Sequence, residues 1–458
     1  MGRGFSARRA ATACLVTTVT LGAGTACTSG GASTAAPTRA AAASTADASG
    51  QVPALPARAL ASPGCSGATA TGAALGQAGT TSVQTGGSPD GVAAAPDGRW
   101  AFAVSSLNAS IEVLRLSGGT VSAPALTEVR SIPLSAAPGV TGAGAALTPD
   151  GKYLLVAENS GAAVISVARA EAGTAGAVLG FLTVPTPAGS AGPPESAAEV
   201  AVSPDSRFVF VTMEYDDEAA VFNLTAALAH GFGTAGYVGA VPLGQATVGL
   251  AVSPDGRWLY ATSEIATAAQ HPVGLGSPGG CRGSVPGTSP GEPPGTLTVV
   301  NLRRAETEPA RSVTATVDAG YEPVRVVAAA DGTEVWVTAR ASDDVLCFSA
   351  AGLAADPAHA LVAVARVGSE PVGLAAVRGA SLLVVADSNR FGASGENSNL
   401  SVLSVPAALA GRPAVVGDLT TGLFPRGMAV APNGTLLVAD YSSGQVQAIA
   451  TADLPAAG

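Results

Sequence analysis

The sequence predicts an all-β protein: a seven-bladed β-propeller whose last blade is closed by an N-terminal strand. Three observations lead there. A strand–turn–strand unit recurs seven times at a spacing of about 50 residues, the range of propeller blades. Two further strand-like runs follow each unit. The final unit stops one strand short, and an unassigned strand-like run precedes the first.

The repeat is read on its turn. "GVAAAPDGRWAFAVSS" starts at Gly91, "GAALTPDGKYLLVAEN" at Gly144, "EVAVSPDSRFVFVTME" at Glu199 and "GLAVSPDGRWLYATSE" at Gly249. "RVVAAADGTEVWVTAR" starts at Arg325, "GLAAVRGASLLVVADS" at Gly373 and "GMAVAPNGTLLVADYS" at Gly427. Each is a short apolar run, a turn usually built on Pro-Asp-Gly, and a second run with alternating large residues. Asp or Asn before Gly supplies the positive φ that a hairpin connection needs.

Third runs such as "TLTVVNL" and "DVLCFSA", and fourth runs such as "YVGAVPL" and "SVTATVD", complete four strands per unit. The interval between units four and five is longer and holds the insertion "PVGLGSPGGCRGSVPGTSPGEPPG". After "QVQAIATADLP" the last unit lacks a strand, which "GTTSVQTGG" can supply. Closure of that kind leaves no free seam in the ring. A β-sandwich with additional domains is the alternative.

Composition agrees with many turns around a large core: of 458 residues, 47% are hydrophobic and 12% charged, with 58 Gly and 32 Pro. The formal charge of -10 and the absence of a basic run argue against a nucleic-acid partner. "MGRGFSARRAATACLVTTVTLGAGTAC" has Arg3, Arg8 and Arg9, an apolar stretch and small residues before Cys27, the grammar of a secretory signal over residues 1–26. The ending "GTAC" is similar to a bacterial lipobox, which implies lipidation of Cys27, although Gly24 stands where Leu or Val is usual. Plain secretion is the alternative. Removing the signal takes the formal charge from -10 to -13, since it carries three Arg and no acid. Residues 27–78 are rich in Ala, Ser, Thr, Gly and Pro and read as a flexible tether. The propeller is expected over residues 79–458. An exported monomer, held at the outer side of the membrane only by its lipid anchor, is the expectation.

The pattern "P.GLAVSPDGRWLY...TLTVVNL" resembles YVTN-type propeller repeats and propeller-fold lactonases. The last unit, "FPRGMAVAPNGTLLVADYSSGQV", also resembles repeats of the NHL and gluconolactonase type. The resemblance covers about 380 residues and implies the fold. Its activity implication is divided, because such repeats occur in enzymes, binding proteins and envelope proteins.

In a propeller the first strand lines the channel. The Pro-Asp-Gly turns then share the bottom face, and the ends of the second strands share the top. Two columns follow. The first, at the start of strand one, is Gly91, Gly144, Glu199, Gly249, Arg325, Gly373 and Gly427. Five glycines suit a crowded axis, and Glu199 and Arg325 are read either as a pair that plugs the channel or as groups that orient a ligand. The second column, at the end of strand two, is Ser106, Glu158, Glu214, Glu264, Arg340, Asp387 and Asp440. Asp387 and Asp440 suit turn closure through Asx-type bonds. Glu158, Glu214 and Glu264, with Arg340, Arg426 and the nearby Glu322 and Glu370, make a mixed-charge funnel for an unidentified small-molecule or protein ligand. No cofactor is implied, although a ring of carboxylates can hold a divalent cation.

The three histidines show no metal-ligand spacing, and no G-x-S-x-G elbow or calcium loop is present. His230 and His359 are expected on the bottom face and His271 in the top-face insertion. Two functional classes remain: a binding or interaction module, and a lactonase-like hydrolase working with carboxylates. In the latter, one Glu would be the general base on water and Arg325 or Arg426 would steady an anionic substrate. Of the cysteines beyond Cys14 and Cys27, Cys347 lies in an apolar third strand and is expected as a buried thiol. Cys65 and Cys281, in Gly/Pro-rich segments, are the candidate disulfide. The expected mature protein begins at a lipidated Cys27. Mass spectrometry of its N-terminus checks this, and an unmodified start at another residue would exclude the anchor.

Overall fold

In the computed structural model, residues 60, 69–76, 79–117, 124–134, 144–190, 192, 196–267, 270, 293–390 and 398–457 are described. The signal, Cys27, Cys65, Cys281, His271 and most of the blade-four insertion lie outside the described residues.

Seven four-stranded antiparallel sheets follow one another along the chain, and in the first six the strands run in sequence order from the axis outward. The innermost strands are Pro89–Ala94, Ala145–Leu147, Ala197–Val202, Gln245–Val252, Pro323–Ala328, Pro371–Val377 and Pro425–Val430. They define blades one to seven. Blade seven takes its outermost strand from Thr80–Gln84, which pairs antiparallel with Gln445–Ile449. The ring is therefore closed by the N-terminal strand.

Alternation along the strands buries both faces of every sheet, because each blade is packed between two others. Each seam between neighbouring blades holds its own apolar cluster. Phe102, Val104, Leu154 and Val156 fill the first seam, and Leu437, Ala439, Val92 and Ala103 fill the last. Cys347 is fully buried in the seam between blades five and six, and burial pushes its thiol well up.

The Ser/Thr-Pro-Asp turns are locked by a repeated device. Ser203 and Ser253 each donate to the Asp two residues on at 2.6 Å and accept from backbone amides of the next strand. On the same face, blades two to six carry short helices in the connection from third to fourth strand, capped by Ser166, Asn223, Asn301, Ser349 and Ser404. Reading those connections as linkers misses the helices, since they are only 4–7 residues long. Their capping residues are the visible sequence signal. His230 ends one of these helices and His359 lies in the turn after another.

Nearest the axis, the innermost strands carry a β-bulge. Ala197 faces Met213 and Val200 faces Val211, so residues 198 and 199 together oppose Thr212. The same shift occurs in blades four, five, six and seven. Threonine fills it in three blades. Thr212, Thr262 and Thr338 accept from the amides of Glu199, Gly249 and Arg325 at 2.9–3.0 Å. Each donates to the next blade, to the carbonyls of Val248, Val324 and Val372 at 3.2, 2.8 and 3.0 Å. The contact draws neighbouring backbones so close that a Cβ on Gly249 would lie 2.4 Å from the Val324 carbonyl oxygen.

Among the described residues, the end of the expected tether makes contacts with the blades. Residues 70–75 hydrogen-bond to Val367 and Asp418, and Leu60 packs in the seam between blades four and five. Small residues there fit against backbone rather than failing to pack.

Thr262→Val keeps the volume of the bulge but strands the Gly249 amide and the Val324 carbonyl. It should cost roughly 1–3 kcal/mol, read as a lower denaturation midpoint with an unchanged far-UV spectrum.

Candidate functional site

The bulge sets two tiers of side chains around the axis. In the first residue of the bulge, Ala198, Val248, Val324 and Val372 form one apolar cluster. Blades seven and one fill the same position with Arg426 and Asp90, paired at 2.8 Å. One residue further along the strands are Glu199 and Arg325, 3.3 Å apart with 15% and 14% of their side chains exposed. Blade four lies between them and contributes Gly249, which leaves room for the pair. Gly144 does so on the other flank, where a Cβ would lie 2.0 Å from a Glu199 carboxylate oxygen. Burial pushes the Glu199 carboxyl up, and Arg325 and the Val200 amide hold it down.

At the mouth stands a second tier. The residue two positions after the bulge threonine is Glu214 in blade three, Glu264 in blade four and Arg340 in blade five. Arg340, almost wholly buried, meets Glu264 at 3.1 Å and Glu322 at 2.7 Å. Glu322, Glu370 and Phe424 directly precede the prolines that open blades five to seven, and all three have positive φ (48°, 53° and 53°). Arg390 and Arg426 lie 5.5 and 5.2 Å from the Phe424 ring, and Arg426 is also 5.5 Å from Tyr441. Glu214, half-buried, has its carboxyl pushed up to about 7 by burial and Glu264, against Arg426 and Arg390. Burial and Glu214 push the Tyr215 phenol up in turn. Burial, Arg340 and Arg426 lower Arg390.

The second column of the sequence reading is therefore two sets of residues rather than one. Tertiary register separates them by a single residue, which in a strand reverses the face. Ser106, Glu214, Glu264 and Arg340 share the mouth position. Glu158, Asp387 and Asp440 stand at the position of Met213, one residue earlier, and are buried between sheets. Ser388 and Tyr441 fill the mouth position in blades six and seven. Asp387 accepts from Ser401 at 2.6 Å, and Asp440 accepts from Thr421 at 2.7 Å and Gln445 at 2.8 Å. These are bonds to neighbouring segments, not the Asx-type turn bonds expected. Glu158 accepts a long 3.5 Å contact from Asn159, while its other oxygen has no hydrogen-bond partner among the described residues. Sequence reading missed Asp90, Tyr215, Arg390, Phe424 and Tyr441. Pairing of Asp440 with Pro425 brings Tyr441, the next residue, into the column, which counting from the start of the repeat misses because the turn of blade seven is one residue shorter. Arg390 follows a strand by three residues and has no signal of its own. Among the described residues, no group of three or more His, Cys, Asp or Glu is placed to hold a metal ion.

Residues 423–449 match the NHL repeat family model. The seventh blade is thus similar to an NHL repeat. It supplies Phe424, Arg426 and Tyr441 to the mouth. No curated protein matches the chain. Among the solved structures that share its fold are two of low identity. Hydrazine synthase of Kuenenia stuttgartiensis has a TM-score of 0.56 at 15% identity, over 83% of this chain and 97% of the other. A functionally unknown protein from Desulfotomaculum acetoxidans DSM 771 has a TM-score of 0.50 at 13% identity, over 77% and 96%. At those identities the likeness is one of fold.

Glu199→Ala leaves Arg325 without its partner. Loss of one member of a buried pair costs roughly 3–5 kcal/mol, less where water still reaches it. The melting temperature should fall clearly, and less for Glu199→Gln, which keeps a hydrogen-bond acceptor. The pH dependence has a definite sign. Glu158, Glu214, Glu218 and Asp344 are each pushed up to about 7, chiefly by burial, from ordinary values of 4.5 and 3.8. Between those limits the folded chain holds more protons than the unfolded chain, so stability falls as pH rises from about 4 to above 7. Glu158→Gln should stabilise the protein at pH 8, on the order of 1 kcal/mol, and change little at pH 5, as thermal melts at both pH values will report.

Proposed function

We propose that this chain is an exported β-propeller of the YVTN-like kind, lipid-anchored through Cys27, that binds a small-molecule or protein ligand at the mouth of its channel. The observation that carries the reading is the convergence at the mouth of Glu214, Tyr215, Arg390, Arg426, Phe424 and Tyr441, all of them only partly buried. Donors, acceptors and aromatic faces converge there, the kind of composition that a recognition site uses. The Glu199–Arg325 pair, deeper and matched in charge, supports this tier from below. In this reading the N-terminal lipid holds the chain to the membrane; among the described residues no helix is long and apolar enough to cross one.

One observation favours a second reading as a lactonase-like hydrolase. A carboxyl near pKa 7, as for Glu214, matches the demand on a general base at neutral pH. Glu214 would take a proton from water as the water attacks a lactone carbonyl, and Arg390 or Arg426 would steady the negative charge that develops.

A lactone panel, run with and without divalent cations, separates the two. The binding reading expects no turnover on any substrate, and Glu214→Gln or Arg390→Ala to weaken a ligand found by screening at least tenfold, about 1.4 kcal/mol, with the melting temperature retained. The hydrolase reading expects turnover that rises through pH 7 and is abolished in Glu214→Gln. Undiminished ligand binding in both variants would overturn the assignment of the mouth.

A further inference from the structure

The N-terminal segment does more than deliver the strand that closes the ring. That closing strand, Thr80–Gln84, buries little: exposed and half-buried residues alternate along it. Its side chains add few anchors, chiefly Val83 in the seam between blades seven and one and a hydrogen bond from Thr81 to the Pro124 carbonyl at 3.0 Å. A strand held mainly by ladder hydrogen bonds at an exposed edge is the first part of a closed ring to fray.

Directly upstream, the chain is fixed to blade six. Ala74 and Asp418 form a parallel bridge beside the outermost strand Val415–Thr420. The Leu75 amide donates to the Asp418 carbonyl at 2.8 Å, and the Asp418 amide donates to the Ala73 carbonyl at 3.0 Å. The Gly72 amide donates to the Asp418 carboxylate at 2.8 Å. Ala70 reaches back to the Val367 carbonyl, at the end of blade five, at 2.8 Å. Leu75 packs against the seam between blades six and seven. The seat requires glycine: a Cβ on Gly417 would lie 2.4 Å from the Leu75 side chain, and one on Gly72 would lie 2.5 Å from the Gly417 Cα.

We propose that residues 70–75 form a second closure of the propeller, a strap on the outer edge of blade six that takes any pull on the N-terminal segment before it reaches the closing strand. The strap runs from the end of blade five, along blade six, to the seam with blade seven, and so spans the joints next to the one that Thr80–Gln84 closes. Closure of the ring then depends on two independent attachments in series along the chain. The closing strand can peel only after the strap has released.

Hydrogen exchange followed by mass spectrometry on the full chain tests this. Gly417→Val fills the seat from the blade side, and Leu75→Asp removes the anchor from the strap side without altering any blade. In both, amides of Thr80–Gln84 should exchange about tenfold faster or more, while Phe208–Met213 in blade three keeps its protection. If Gly417→Val loosens blade three as well, Leu75→Asp decides alone. Faster exchange confined to residues 70–75, with the closing strand unchanged, would overturn the proposal. So would a strap that exchanges at the free-chain rate in the unaltered protein.

Discussion

The bulge in the innermost strands, bridged by threonine from blade to blade, is the constraint on which the rest depends. An antiparallel strand near the axis cannot satisfy every amide across its own sheet, because the extra residue of the bulge leaves one unpaired. Thr212, Thr262 and Thr338 accept from that amide and donate their own hydroxyl hydrogen bond to the next blade's carbonyl. A single hydroxyl thus satisfies two buried backbone groups and sets the spacing between sheets. At Gly249 the backbones meet so closely that a Cβ would lie 2.4 Å from the Val324 carbonyl oxygen. A longer side chain in that column, as at Glu199 and Arg325, must turn toward space its neighbours leave open.

Charge in the centre of this molecule is arranged in depth. Asp90–Arg426 and Glu199–Arg325 are matched pairs, formed between blades that the ring brings within 2.8 and 3.3 Å. Buried pairs of this kind contribute little net stability but make a lone partner costly, so they favour one arrangement of the blades over others. Nearer the mouth, carboxylates outnumber guanidinium groups and the balance fails. Glu264 and Glu322 share Arg340, and Glu214 is left with a raised proton affinity and part of its surface open. A carboxyl in that condition takes up a proton more readily than a free one.

The seven hairpins, the four-strand period and the N-terminal closure were all legible in the sequence, because turn chemistry and two-residue alternation are local properties. The Glu199 and Arg325 positions stood out for the same reason: they break a glycine column. The second column mixed two positions. Counted from the first residue of each repeat, Glu158 and Asp387 already stand one place before Glu214, at the place of Met213, and one residue of slip reverses the face. Asp440 joins them only through its pairing with Pro425, because the hairpin turn of blade seven is one residue shorter. Arg390 and Tyr215, outside any repeated position, are likewise placed by the loops around them.

By itself, the sequence determined that this protein is a ring of seven β-sheets with few cations, many turns and an N-terminal strand to finish the last blade. Those features follow from what each short segment can do on its own. The tertiary structure decided which charges meet. Glu199 and Arg325, 126 residues apart, could be read as partners because both break the glycine column, and they do pair; Asp90 and Arg426, 336 apart, carry no sign of contact along the chain. Curvature of the ring brings them together, and curvature is a sum over seven seams that no local pattern states.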